Sequence, residues 1–267
     1  MRRNFGHVLL MMIWVRRFFL IAIIIYVVVV AVVFFAQRKF VYFPPDFYAP
    51  PPQGLAEVKS PAGHLGWYSP AAQGRPTVMV FHGNASSIES NMHIFRDLHA
   101  AGYGVWSVGY PGFPGNAGAP TQDSLMKAAE DQYQTLRAQE VTDIIFYGTS
   151  LGSGVAAQLS TRFEPTLLIL DAPFNSMTDM AQRHMPFVPV RFLLKDKWES
   201  SRALDGKDIP LIWIHGTADQ VIPLAQGQKI FDGYDGPKSG HRINGAHHTN
   251  TWLNGGREIV LTALENL

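Results

Sequence analysis

Residues 143–160 of the chain read DIIFYGTSLGSGVAAQLS, and this stretch decides the fold. A short apolar run at 144–147 leads into the motif GTSLG at 148–152, and small residues follow. A G-x-S-x-G motif is informative only where a strand precedes it and a helix follows it, and both flanks have that character. The pattern predicts a tight strand-to-helix turn that pushes the Ser150 hydroxyl out of the sheet, with the two outer glycines leaving room for it.

On either side of this turn, short apolar runs alternate with amphipathic stretches of helical spacing. The runs are TVMVF at 77–81, YGVWSV at 103–108, TLLIL at 166–170 and IPLIWIHG at 209–216. Strands that alternate with helices of this length predict an α/β fold with a mostly parallel central sheet, right-handed crossovers and helices on both faces.

The segment 172–207 interrupts this alternation, because methionine, phenylalanine and other apolar residues are scattered between two predicted strands. One interpretation is a short cap insertion over the strand ends, where open α/β sheets place their sites. The other is a set of helices whose apolar faces complete the core, and neither length nor periodicity separates the two.

The N-terminal segment contains the apolar run FFLIAIIIYVVVVAVVFFA at 18–36. About 20 such residues in a helix cross a bilayer core of roughly 30 Å, with every backbone group satisfied internally. Arginines at 2, 3, 16 and 17 precede the run and only two basic residues, at 38 and 39, follow it. The apolar run predicts a membrane anchor at 1–39. The positive-inside rule then predicts a cytoplasmic N-terminus and places the globular domain, residues 40–267, on the periplasmic or lumenal side.

Two other interpretations of this run are weaker. A cleaved signal peptide has a shorter apolar region, of 7–15 residues, and a small-x-small cleavage site, whereas this run exits through bulky FFAQRKF. A helix packed against the core of a domain of this size would show a polar face, and the run has none. The length, the flanks and the uniformly apolar character of the run therefore predict a membrane anchor.

Composition excludes several classes of function. The net charge of +1, with no Lys/Arg-rich run after residue 39, gives no footprint for nucleic acid. The chain has 0 cysteines, which excludes disulfides, thiolate nucleophiles and cysteine zinc sites. The loop GYPGFPGNAG has neither dinucleotide-binding nor P-loop spacing. We therefore expect no metal and no cofactor, and the oligomeric state stays open.

A serine hydroxyl is a weak nucleophile until a base takes its proton. Strand-to-helix serines of this kind are followed along the chain by an acid and then a histidine. Asp219 follows the apolar run that ends at residue 216, and two adjacent histidines, His247 and His248, lie in NGAHHTNTW. Adjacent side chains diverge, so only one of the two can serve Ser150. Asp171 is a second candidate acid, ranked lower because it ends the strand immediately after the serine.

When the serine attacks the carbonyl carbon of a substrate, negative charge develops on the carbonyl oxygen. Hydrogen-bond donors are needed to stabilise that charge. The turn HGN at 82–84 closes the first strong strand, and we expect an oxyanion hole from the backbone N–H groups of Asn84 and Leu151. Each such donor is worth roughly 3–4 kcal/mol. His82 precedes the serine in the chain, so it is interpreted as structural.

Four blocks, VMVFHGNAS, FYGTSLGSGVAAQL, PLIWIHGTADQVIP and NGAHHTNTW, together resemble the α/β-hydrolase superfamily. The resemblance is closest to its membrane-anchored α/β-hydrolase-domain (ABHD) branch and covers about residues 40 to 260. It implies Ser150 as nucleophile, Asp219 as acid and His248 as base. Thr249-Asn250 stands where the branch usually has Asn-Asp, so any role of that acidic residue is lost.

The resemblance implies hydrolysis of carboxylic esters or thioesters, with a small-molecule or lipid acyl substrate at a membrane. Fold alone does not choose the acyl group. A peptidase or amidase with the same triad is one alternative, and a membrane-bound binding module without catalysis is another.

Overall fold

The computed structural model describes residues 2–267, without the side chains of residues 2–6, 8 and 9. Met1 and the side chains of Arg2 and Arg3, on which the predicted orientation partly rests, thus lie outside it. Within this range eight strands form one sheet in the order β1-β2-β4-β3-β5-β6-β7-β8. They are β1 (Ala56–Lys59), β2 (Leu65–Ser69), β3 (Thr77–Phe81), β4 (Gly104–Val108), β5 (Ile144–Thr149), β6 (Leu167–Asp171), β7 (Leu211–Gly216) and β8 (Lys238–Ile243).

The sheet is mostly parallel, as predicted. Strands β3 to β8 run parallel to one another, whereas β1 and β2 add an antiparallel edge beside β4. The central strands β3 and β5 are buried almost throughout, because helices cover both faces. Continuous apolar runs are what such doubly covered strands require.

Helices pack on both faces of the sheet. The described helices are α1 (Arg2–Val41), α2 (Met92–Ala100), α3 (Gln122–Arg137), α4 (Leu151–Leu159), α5 (Met177–His184), α6 (Val190–Leu193), α7 (Ser200–Leu204), α8 (Leu224–Gly233) and α9 (Gly256–Glu265). Buried side chains of α3, α4, α7 and α8 form one core with Phe81 and Phe146. Side chains of α2 and α9 form a second core with Val80 and Tyr147. Alternate residues of one strand thus serve opposite cores.

The segment 172–207 combines the two interpretations that the sequence left open. Its first helix, α5, has no fully buried residue, and it lies over the cavity beside Ser150 together with Val190 of α6. By contrast, Ala203 and Leu204 of α7 are buried in the first core. The earlier part, residues 174–196, borders this cavity and α1 and is called the cap below; the last part completes the core.

Helix α1 continues beyond the predicted apolar run and ends on the α/β domain. Within the described residues, one helical stretch, Leu10–Val41, is long and apolar enough to cross a membrane. Its end is tied to the cap segment: Lys195 N donates to Gln37 Oε1 (2.8 Å) and Arg38 pairs with Asp196 (3.1 Å). Helix α1 and the α/β domain are therefore joined by specific contacts.

The β5–α4 turn yields a stability prediction. A methyl group on Gly152 would overlap the backbone carbonyl of Phe81, which the packed sheet cannot move. We expect Gly152→Ala to cost more than about 3 kcal/mol of folding free energy, measured as a lowered midpoint of thermal unfolding in detergent. Gly233→Ala is the control, since nothing lies within 4 Å of its added methyl group. Equal stability of the two variants would contradict this packing.

Candidate active site

Ser150 stands in a strained backbone conformation between β5 and α4. Its φ is 54° and its ψ is −119°, a region that residues other than glycine rarely occupy. The Ser150 N–H donates to the carbonyl of Asp171 on the neighbouring strand (2.9 Å), which fixes the turn. The predicted strand-to-helix corner is present, and it places Ser150 at the wall of a cavity.

The glycines around Ser150 allow the surrounding backbone segments to approach closely. A methyl group on Gly148 would overlap the backbone of Gly152 across the turn. One on Gly83 would lie 3.3 Å from Ser150 Cβ, so the 82–84 turn packs directly against the serine. The site therefore requires glycine, which has no side chain, at these positions.

His248 reaches Ser150 from the loop after β8. Its Nε2 lies 2.9 Å from Ser150 Oγ, and its Nδ1 lies 2.7 Å from Asp219 Oδ2. With the proton on Nδ1, the Nδ1–H group donates to the carboxylate, and the lone pair of Nε2 faces the serine hydroxyl. His247 is turned elsewhere, with its Nδ1 3.1 Å from the carbonyl oxygen of Ala218. The structure brings His248 rather than His247 to Ser150, a choice the residue types alone did not make.

Asp219 is held as a charged acceptor in the loop after β7. Its Oδ1 accepts from the N–H groups of Val221 (2.9 Å) and Ile222 (2.8 Å), which leaves Oδ2 for His248. Burial by itself raises the pKa of Asp219. The bonds from His248 and Ile222, with the nearby imidazoles of His248 and His215, nevertheless hold that pKa below its usual value. The carboxylate is therefore ionised at neutral pH.

A buried histidine that sequence reasoning overlooked supports this loop. His215 is fully buried, and its Nε2 lies 2.9 Å from the carbonyl of Ile222 and 3.5 Å from Asp219 Oδ2. Burial lowers the pKa of His215, more than its backbone bond and Asp219 raise it. The ring is accordingly neutral and donates to Ile222, closing the turn that presents Asp219. A histidine four residues before the acid, at the end of an apolar strand, was the available signal.

Asp171, the second candidate acid, has a different set of partners. Its Oδ2 accepts from Tyr147 OH (2.8 Å) and from Thr251 Oγ1 (2.7 Å). Thr251 lies in the same loop as His248, so Asp171 ties that loop to strands β5 and β6. Burial raises the pKa of Asp171 to about 6, although the bonds from Thr251 and Tyr147 work against the rise.

The two expected oxyanion donors lie beside Ser150. Asn84 and Leu151 both line the cavity that contains the serine. Among the hydrogen bonds of the described residues, none uses either backbone N–H as its donor. The Asn84 side chain has a partner that the sequence did not predict: its Oδ1 accepts from Phe43 N (2.8 Å) and its Nδ2 donates to the carbonyl of Val41 (2.6 Å). The end of α1 is thus bound to the turn beside the serine.

A cavity of about 410 Å³ opens onto Ser150. Its walls are mostly apolar and come from α1, from the cap and from the loop after β7. They include Val33, Phe34, Phe40 and Val41 of α1, Phe174, Met177, Met180, Met185, Val188, Val190, Leu193 and Leu194 of the cap, and Val221 and Ile222. The volume lies within the range of small-molecule sites, roughly 300–1,000 Å³.

Comparison with known proteins agrees with this geometry. The serine aminopeptidase S33 family (Hydrolase_4) matches residues 72–202. Rv2307c of Mycobacterium tuberculosis is 30% identical over 204 residues, covering 74% of this chain and 72% of that protein. The chain belongs to the ABHD-type α/β hydrolases. The resemblance inferred from the sequence is thereby confirmed, together with the fold.

Two further proteins are similar to this ABHD-type hydrolase at lower sequence identity. The zebrafish lysophosphatidylserine lipase ABHD12 is 27% identical over 201 residues, which cover 66% of this chain and 53% of that protein. The solved structure of the Pyrococcus furiosus esterase Pf2001 aligns with a TM-score of 0.65 at 18% identity, over 83% of this chain and 96% of that one. At this identity, the second comparison shows the fold alone.

The buried carboxyl of Asp171 yields a prediction on pH and stability. A pKa raised from 3.8 to about 6 means that the folded state binds more protons than the unfolded state in that window. Stability from this group is therefore lost as pH rises from about 4 to about 6, by on the order of 3 kcal/mol. Asp171→Asn cannot titrate and keeps an oxygen for Tyr147 and Thr251.

We expect the unfolding free energy of Asp171→Asn, relative to wild type, to rise between pH 4 and pH 7 in urea titrations in detergent. Asp205→Asn, an exposed site, is the control. A constant difference between Asp171→Asn and wild type across this range would contradict the assignment.

Proposed function

We propose that this hydrolase cleaves carboxylic ester or thioester bonds of acyl substrates, lipid-like ones included. Ser150 is the nucleophile, His248 the base and Asp219 the acid. The observation that carries the proposal is the continuous chain of hydrogen bonds from Ser150 Oγ through His248 to Asp219 at one end of an apolar cavity. The relative named as a lysophosphatidylserine lipase supports ester chemistry.

The reaction follows from the positions of these atoms. His248 Nε2 takes the Ser150 proton while Oγ bonds to the substrate carbonyl carbon, and the resulting oxyanion accepts from the N–H groups of Asn84 and Leu151. Collapse breaks the bond to the leaving alcohol or thiol, which receives the proton from His248. Water then attacks the acyl-enzyme, with His248 again as base, and releases the acid and the free serine. Asp219 stays ionised and steadies the imidazolium.

A peptidase or amidase with the same residues is the second candidate, favoured by the name of the matching S33 family. An aminopeptidase must hold a charged ammonium group, which needs a paired charge when it leaves water. Among the described residues, the cavity lining includes no Asp or Glu. The apolar walls favour an acyl chain instead, and a panel of p-nitrophenyl esters against peptide anilides separates the two activities.

Labelling with a fluorophosphonate probe tests the proposed residues. Wild type should be labelled, and Ser150→Ala should not. His248→Ala should slow labelling at least about 10³-fold, because the nucleophile loses its base, whereas His247→Ala should stay within a few-fold of wild type. Ser160→Ala, a buried serine at the far end of α4, is the serine control. Unchanged labelling of Ser150→Ala, or loss with His247→Ala rather than His248→Ala, would overturn the assignment.

We further propose that residues 1–39 anchor the protein with the N-terminus in the cytoplasm, and that the hydrolase domain at 40–267 lies on the periplasmic or lumenal side. Arginines before the span outnumber the basic residues that follow it. Because the chain has 0 cysteines, single cysteines report topology without a background.

Asp205→Cys should react with a membrane-impermeant maleimide added to the periplasmic or lumenal face. Asn4→Cys should react only after the membrane is permeabilised. The reverse pattern would show the opposite orientation.

A further inference from the structure

One face of α1 becomes part of the hydrolase domain towards its C-terminal end. Residues 10–29 are exposed throughout. From Val30 onwards the residues Val33, Phe34, Gln37 and Val41 are partly or fully buried. Their spacing of three or four residues places them on a single helical face. The last three turns of the helix therefore pack against the domain along that face.

This same face forms one wall of the cavity over Ser150. Val33, Phe34, Gln37 and Val41 line the cavity, and so does Phe40. The remaining walls come mainly from the cap, so the cavity is enclosed only when α1 is in place. A substrate in the cavity therefore contacts the membrane helix as well as the hydrolase domain.

The cap follows α1 for a considerable distance along its axis. Tyr26 OH donates to the carbonyl of Phe187 (2.9 Å), the Lys195 ammonium lies 4.5 Å from the centre of the Phe34 ring, and Gln37 Nε2 donates to the carbonyl of Leu193 (3.3 Å). At 1.5 Å per residue, Tyr26 lies about 22 Å along the helix from Val41. Tyr26 is also inside the apolar run at 18–36, so in the anchor proposed above the cap extends alongside the membrane-spanning part of α1.

The tip of the cap has the surface that lipid contact requires. Phe187 and Phe192 are 86% and 84% exposed, beside a helix that is itself apolar on its free faces. Soluble surfaces rarely present large aromatics in this way, whereas interfacial segments bury them at the boundary of headgroups and acyl chains. The cavity is thus bordered by two apolar surfaces, α1 and the exposed tip of the cap.

We propose that the C-terminal third of α1 is a wall of an acyl-chain binding site, and that long-chain acyl esters enter this site sideways from the bilayer. The acyl chain of the substrate lies against Val33, Phe34 and the methionines of the cap, and its ester group lies at Ser150. This inference rests on the proposed ester hydrolysis and adds the substrate class and its route.

The test compares two neighbouring valines in full-length protein reconstituted in lipid vesicles. Val33→Trp places a large ring in the cavity, whereas Val32→Trp adds the same ring at a residue that is 58% exposed and outside that cavity. Each variant is assayed with p-nitrophenyl acetate and p-nitrophenyl palmitate. We expect Val33→Trp to lower kcat/KM for the palmitate at least tenfold and to keep the acetate within about twofold. Val32→Trp should leave both unchanged.

Fluorophosphonate labelling of each variant reports whether the site is intact, and Val33→Phe replaces Val33→Trp if the latter is not labelled. In a labelled variant, an equal loss for both esters, or no loss for either, overturns the proposed wall. Failure of the underlying function looks different: wild type would cleave neither ester, or Ser150→Ala would cleave both as wild type does.

A second comparison tests the route. A two-chain ester that exchanges slowly between vesicles is placed either in the vesicles that hold the protein or in separate ones. Entry from the bilayer predicts hydrolysis only in the shared vesicles. Equal initial rates in the two arrangements would show entry through water and overturn that part of the proposal.

Discussion

The structure depends on the strained backbone of Ser150, where β5 turns directly into α4. A residue with φ of 54° that is not glycine costs on the order of 1–3 kcal/mol and persists only where its surroundings enforce it. Here Gly148 and Gly152 bring the backbone of β5, α4 and β3 into direct contact, and the bond from Ser150 N to Asp171 fixes the turn. Without these contacts the hydroxyl would have no defined position.

The remaining site residues reach the serine because the parallel strands end together. Asp219 follows β7 and His248 follows β8, so the sheet order places both loops at the edge where β5 ends. His215 binds the carbonyl of Ile222 and so closes the turn that contains Asp219. Asp171 accepts a hydrogen bond from Thr251 and so holds the loop that contains His248. Each loop is therefore attached to a neighbouring strand, and the imidazole needs little reorganisation before it acts.

The local pattern of apolar and small residues in the sequence was enough to predict much of the fold and of the candidate site. The motif at 148–152 with its apolar and small-residue flanks indicated the serine turn, and the apolar runs indicated most of the strands. Strand β8, KSGHRI, is mainly exposed and polar and so lacks that signal. The choice between His247 and His248, the bonds of Asn84 to the end of α1, and the shared wall of the cavity depend on contacts between residues far apart in sequence, which no local pattern records.

The most direct measurement is the mass of the protein during turnover. After rapid acid quench of wild type with a long-chain ester, the central claim predicts an added mass equal to the acyl group. That mass should be carried by the tryptic peptide 138–162, which contains Ser150. An acyl group on a different peptide, or rapid turnover with no covalent adduct at any quench time, would contradict the account.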